Sequence, residues 1–163
     1  MTLRARTTDV EATRALAAAV ASVAAPGDVI LLSGELGAGK TAFVQGFGAG
    51  LGVQERITSP TFTLAHHYEG ALAMHHLDVY RLERLGEMDD IGVSELLDGE
   101  GVVLIEWGDA VAPVLPREYL EVAITYGEGD DDRELELRCV GGRWSARLRS
   151  LSEQLQDWVV ASC

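Results

Sequence analysis

The chain has 163 residues, about one domain's worth, and its 47% hydrophobic and 24% charged composition allows a buried core and excludes wholesale disorder. Thirteen basic residues against 26 acidic ones give a formal charge of −13, a field that repels free DNA or RNA. The longest nearly apolar stretch, residues 15–25, is too short to cross a membrane, the first residues lack a secretory core and two cysteines cannot staple such a fold, so a cytoplasmic protein with no membrane or DNA partner is expected.

In chain order, residues 2–7 can form a short strand. Thr8-Asp9-Val10-Glu11 reads as a capping box with Thr8 as N-cap and Glu11 at the third helical position. The stripe Ala12, Leu16, Ala19, Val20, Val23 predicts a helix that stops before Pro26-Gly27. Val29-Ile30-Leu31-Leu32 is an unbroken apolar run, the pattern of a strand buried on both faces of a parallel sheet. A Gly-rich turn follows, then a helix carrying Phe43, Phe47 and Leu51, closed by Gly50 and Gly52. Residues 53–60 read as a loop ending at Ser59-Pro60, and segments 61–68 and 72–80 as a hairpin turning at Glu69-Gly70. A short helix over residues 88–97 leads to a second buried run, Val102-Val103-Leu104-Ile105. Beyond Pro113 and Pro116, alternation predicts strands at 119–126, 134–140 and 144–149, with Asp130-Asp131-Asp132 in a solvated hairpin loop. Leu151, Leu155 and Trp158 predict a closing helix over 150–160.

Gly34-Glu35-Leu36-Gly37-Ala38-Gly39-Lys40-Thr41 fits G-x-x-x-x-G-K-[ST], the phosphate loop. Its glycines permit backbone angles that turn successive N–H groups toward one anion, and a helix starting near Lys40 adds its N-terminal dipole. Lys40 would reach the β- and γ-phosphates and the Thr41 hydroxyl would ligate Mg²⁺. Arg supplies twelve of the thirteen cations, and the one Lys is Lys40, where a compact ammonium on a flexible stem is wanted. The loop also lies between a buried-strand run and an amphipathic helix, as its mechanism requires. Together these predict an α/β fold: a P-loop NTPase-like mixed sheet flanked by helices, with a C-terminal antiparallel strand segment, in one domain over 1–163.

The metal of such a loop needs an acid at the end of a buried strand. Two candidates present themselves, Glu106 directly after Val102–Ile105 and Asp78 in His76-Leu77-Asp78-Val79-Tyr80-Arg81. A two-residue turn at Glu69-Gly70 would set Tyr68 opposite Ala71 and Thr61 opposite Asp78, placing Thr61, Thr63, Met74, His76 and Asp78 on one face. The Ser59-Pro60-Thr61-Phe62 loop would then stand beside the acid.

With these residues in hand the sequence resembles the TsaE (YjeE) family, small ATPases of bacterial tRNA threonylcarbamoyladenosine biosynthesis, from about Arg6 to about Leu137. The resemblance rests on Leu36-Gly37-Ala38-Gly39-Lys40-Thr41, Ser59-Pro60-Thr61-Phe62, His76–Arg81 and Glu106-Trp107 in the family's order; the helix expected over 150–163 lies outside it. It implies ATP and Mg²⁺ as cofactors, with Thr41 and Glu106 on the metal. It implies that Asp78 orients or deprotonates the attacking water, that residues 58–62 sense the γ-phosphate and that Trp107 packs near the nucleotide. The nucleotide-binding set is then Glu35, Leu36, Gly37, Ala38, Gly39, Lys40, Thr41 and Ala42 with Thr61 and Trp107, and the catalytic set Lys40, Asp78 and Glu106. The implied partner is the TsaB–TsaD pair, reset by ATP hydrolysis between turnovers, with tRNA reached only through that complex, as a chain of −13 should.

Two other functions fit the same loop, a non-catalytic nucleotide-gated binding module and a small-molecule P-loop kinase. A guanine reader of the Asn-Lys-x-Asp type is excluded, because no second Lys exists to form it. A kinase lid would be rich in Arg, and Arg81 and Arg84 are thin support. His66, His67, His75 and His76 are expected to fill core or surface, with no two directly opposed. Trp144 and Trp158 are expected to pack, Arg133, Arg138, Arg143, Arg147 and Arg149 to lie on solvated strands, and Cys139 and Cys163 to stay unpaired.

Overall fold

The computed structural model describes residues 1–35, 37–60, 65–78, 93–106 and 115–162. Its centre is β2 (Val29–Ser33), whose first four residues are all buried, because a parallel neighbour lies on each side and apolar clusters cover both faces. Those neighbours are β5 (Val102–Glu106) and β6 (Tyr119–Tyr126), and β4 (Met74–Asp78) continues the parallel set beside β5. Antiparallel strands complete the sheet: β3 (Ala65–Tyr68) beside β4, β7 (Arg133–Val140) beside β6, β1 (Thr2–Thr7) beside β7 and β8 (Val159–Ser162) beside β1. The order is β3-β4-β5-β2-β6-β7-β1-β8, a mixed sheet of the P-loop NTPase-like kind.

Helices α1 (Val10–Ala21) and α2 (Lys40–Gly50) pack against each other, and they share one apolar cluster with the sheet. Leu16 and Val20 from α1 and Phe43 and Phe47 from α2 meet Ile30, Leu32, Leu104 and Val122 there. The two helices touch through glycine: a Cβ on Gly46 would stand 2.1 Å from the Arg14 carbonyl oxygen, and one on Gly50 2.8 Å from that of Ala18. On the other face Val29, Leu31, Leu77, Val103 and Ile105 are covered by Leu96 and Leu97 of α3 (Val93–Leu97), Leu115 and Tyr119. No helix among the described residues is long and apolar enough to cross a membrane.

Several expectations need correction. The cap of α1 is Asp9 rather than Thr8: its carboxylate accepts the Ala12 N–H at 2.6 Å, and Glu11 pairs with Arg14 instead of closing a box. The β3–β4 hairpin pairs Tyr68 with Met74 and Ala65 with Leu77, three residues away from the expected register, because residues 69–73 all belong to the connection. That shift brings His66 opposite His76 and His67 opposite His75, so histidines do oppose directly. Residues 144–149 are not a strand. They fall in α4 (Gly142–Ser145), a turn at 146–147 and the start of α5 (Leu148–Gln154); the expected closing helix is present over 150–154 only, and the chain then turns and extends into β8. Trp144, Leu151 and Leu155 are buried at helical spacing, whereas Val159 and Val160 suit a strand along the side of β1.

The arginines of that region are not simply solvated either. Asp28, fully buried just before β2, accepts the Ala25 N–H at 2.7 Å, Arg143 Nε at 2.9 Å and both Arg147 terminal nitrogens at 2.7 Å. Arg147 also lies over the Trp144 ring, 4.2 Å from its centroid. The C-terminal helices are thereby tied to the turn that launches the central strand. Arg138 pairs with Glu121 across β6 and β7, and buried Cys139 is unpaired with its thiol pushed up by burial.

Candidate active site

Three parallel strands end on the same side of the sheet, and register sets what stands there. Leu32 of β2 is level with Glu106 of β5, which is level with Asp78 of β4. The chain leaving β2 turns at once into the Gly-rich loop, so that loop lies over the carboxyl ends of the strands, where open α/β sheets bind ligands. Two of its glycines show why a side chain is excluded. Gly34 has φ +151, and a Cβ there would meet the Ile124 carbonyl oxygen at 2.5 Å; Gly39, with φ +119, is the N-cap of α2. No side chain caps α2 among the described residues, so its first N–H groups and dipole face outward.

A cavity of about 670 Å³ opens at this point, lined by Gly34, Glu35, Gly37, Gly39, Lys40, Thr41 and Ala42 of the loop and helix, with Val10, Ser59, Asp78 and Glu106. Lys40 Nζ donates to the Gly34 carbonyl at 2.9 Å, across the mouth of the loop. Glu106 is 5% exposed, a carboxylate almost wholly removed from bulk water but open to the cavity. Of the residues expected from the sequence, Lys40, Thr41, Asp78, Glu106, Glu35, Gly37, Gly39 and Ala42 converge here. Ala38 is buried behind the loop, and Leu36, Thr61 and Trp107 lie outside the described residues, as do Arg81 and Arg84.

The surroundings hold residues that motif reading passed over. Arg133 of β7 donates from Nε to the Ala38 carbonyl at 2.9 Å, and its guanidinium lies 4.6 Å from the Tyr126 ring centroid. The outer strands thus grip the loop's tip. The segment leading to Ser59 is held from three elements. Gln45 of α2 donates to the Ile57 carbonyl at 3.0 Å while its own oxygen accepts from Arg14 of α1. The Thr58 carbonyl lies 3.2 Å from His66 Nδ1 of β3. His76 is fully buried on the same face of β4 as Asp78, 3.6 Å from Glu106.

The donor set can be tested against a magnesium–triphosphate complex. Among the described residues no group of three or more His, Cys, Asp or Glu could hold a metal by itself. Magnesium needs fewer, since it keeps several waters and takes one or two protein oxygens beside substrate phosphates. Thr41 and Glu106 offer such hard oxygen donors on one cavity wall, and the glycine cradle leaves room for an oxyanion, so the residues fit the group.

Comparison with known proteins bears on the family and the fold. Residues 7–135 match the family model described as "Threonylcarbamoyl adenosine biosynthesis protein TsaE", within two residues of each end of the resemblance. The tRNA threonylcarbamoyladenosine biosynthesis protein TsaE of Bacillus subtilis is 44% identical over 151 residues, covering 92% of this chain and 94% of the relative. The protein of the same name from Treponema pallidum is 49% identical over 109 residues, covering 67% and 80%. A crystal structure of Bacillus subtilis YdiB superimposes with a TM-score of 0.79 at 40% identity, covering 94% of this chain and 95% of that one.

Proposed function

The chain belongs to the TsaE family of threonylcarbamoyladenosine biosynthesis proteins, and from that premise we propose that it is a Mg²⁺-dependent ATPase that binds and resets the TsaB–TsaD complex. Its part in tRNA threonylcarbamoyladenosine biosynthesis is the family's; the hydrolysis, the metal and the partner pair are our reading. What supports it is one observation, the convergence of Lys40, Thr41, Asp78 and Glu106 from three separate elements on a single cavity.

Each residue has a task in that reading. The α2 N-terminus and the loop amides bind the phosphate oxygens, and Lys40 moves from the Gly34 carbonyl to the β- and γ-phosphates. Thr41 and Glu106 would hold Mg²⁺, which when bound neutralises charge on the β- and γ-phosphate oxygens. Asp78 orients a water and accepts its proton as the water oxygen bonds to the γ-phosphorus. The bond from that phosphorus to the β–γ bridging oxygen breaks, giving ADP and phosphate. Ser59, on the cavity wall at the end of the held 57–58 segment, would sense the γ-phosphate.

Among the described residues lining the cavity, Lys40 is the one cation. Phosphate-loop hydrolysis without a positioned arginine idles near ~10⁻⁴ per second, and completion in trans is worth ~10³–10⁵. The isolated chain should therefore hydrolyse ATP feebly and be accelerated by its partner. With −13 charges it should reach tRNA only through that partner, in the cytoplasm. The paired carboxylates favour catalysis over a purely nucleotide-gated binding module.

The test is phosphate release with and without TsaB–TsaD, for wild type and Asp78→Ala. Stimulation of wild type and none of the variant is expected; full turnover by the isolated chain overturns the proposal. Nucleotide-dependent co-purification with the pair, lost in Lys40→Ala, tests the binding half separately.

A further inference from the structure

We infer that His76 is a positioning residue for Glu106, holding one carboxylate oxygen so that the other faces the nucleotide's divalent cation; this rests on the reading of Glu106 as a magnesium ligand. His76 is fully buried in β4, level with Leu104 of β5, so Glu106 is its diagonal cross-strand neighbour on the same face. Its Nε2 lies 3.6 Å from Glu106 Oε2, and neither ring nitrogen has a hydrogen-bond partner among the described residues.

That isolation is the telling feature. A buried polar group without a partner is costly, and an apolar side chain between Met74 and the Leu104 layer would carry no such penalty. Among the described residues the polar atom that can relieve it is Oε2, since a turn of the Glu106 side chain of about half an ångström brings the pair within hydrogen-bond distance. The carboxylate would then be fixed at one oxygen by the Nε2–H donor, leaving the second toward Thr41 and the cavity. Magnesium tolerates little departure from octahedral geometry, so a ligand held in orientation binds it better than one free to rotate. Partners of this kind are worth about 10–100-fold in metal affinity.

The test compares the Mg²⁺ concentration required for ADP binding, by calorimetry on the full chain, in wild type, His76→Leu, His76→Gln, His76→Asn and Glu106→Gln. His76→Leu should raise the requirement about tenfold while leaving the thermal midpoint unchanged or higher, a combination that a merely structural histidine would not give. His76→Gln, whose amide nitrogen reaches the place of Nε2, should restore most of the affinity, and His76→Asn, whose amide falls short, should not. A His76→Leu variant with the wild-type Mg²⁺ requirement, beside a Glu106→Gln variant whose requirement is raised, overturns this proposal and leaves the magnesium reading standing. A Glu106→Gln variant with an unchanged requirement removes the reading underneath. Should the variants fail to fold, ¹⁵N-histidine NMR of the wild type decides: adding Mg²⁺ and ADP should move the His76 Nε2–H proton downfield, and an unmoved resonance overturns the proposal.

Discussion

Asp78 and Glu106 are level with each other across the parallel β4–β5 pair and stand on the wall of one cavity. Two acids so placed can divide the work, one holding the metal and the other handling the water, and substitution should separate them. Glu106→Gln is expected to raise the Mg²⁺ needed for ADP binding. Asp78→Asn should leave ADP affinity near that of wild type and lower partner-stimulated phosphate release by about 10²–10⁴. Calorimetry and a phosphate-release assay on the same preparations check both.

Asp28 is the anchor of the C-terminal helices, buried and bonded to Arg143 and Arg147. Removing Asp28 strips four hydrogen bonds to its carboxylate but leaves arginines that are partly open to water, so the loss is about 1.5–3 kcal/mol. Asp28→Ala should lose stability by that amount in urea denaturation. Arg149→Ala should change little, since its pairing with Glu153 is on the surface.

Legibility followed the range over which each constraint acts. The phosphate loop was readable because Gly34, Gly39 and Lys40 answer to requirements local to the backbone. The central strands were readable because unbroken apolar runs suit only double burial. The C-terminal segment misled because Trp144, Ala146 and Leu148 alternate like a strand, whereas Trp144, Leu151 and Leu155 make the buried set. Within the site, Lys40 and Thr41 came from the motif alone. Bringing Asp78 level with Glu106 required a parallel register that no turn specifies. The Asp28 clamp left one trace, Arg143 and Arg147 one helical turn apart, and nothing in composition paired them with an acid 115 residues away. His76 gave no sign of its setting until the hairpin register was known.

Arg133 should matter to nucleotide affinity without touching phosphate. Its bond to the Ala38 carbonyl steadies the loop's tip, and Arg133→Ala is expected to weaken ADP binding about tenfold, equivalent to about 1.4 kcal/mol. Equilibrium binding measured beside thermal denaturation tells loop loosening from general loss of fold.

The His67–His75 pair, with Nδ1 atoms 2.7 Å apart, makes the β3–β4 hairpin sensitive to acid. Burial first, and then the facing His67 ring, hold the His75 imidazolium below the ordinary histidine range, opposed by Glu69. In the window below about pH 6.5 the unfolded chain therefore binds more protons, so stability rises with pH across that window and falls on acidification. His75→Thr should flatten the dependence, read from urea midpoints between about pH 5 and 8.

Gly46 and Gly50 seat α2 directly on the backbone of α1 at Arg14 and Ala18. The pair is in effect one rigid lever. A side chain added at either position would have to part the helices and so carry Lys40 and Thr41, at the head of α2, off the ends of the strands.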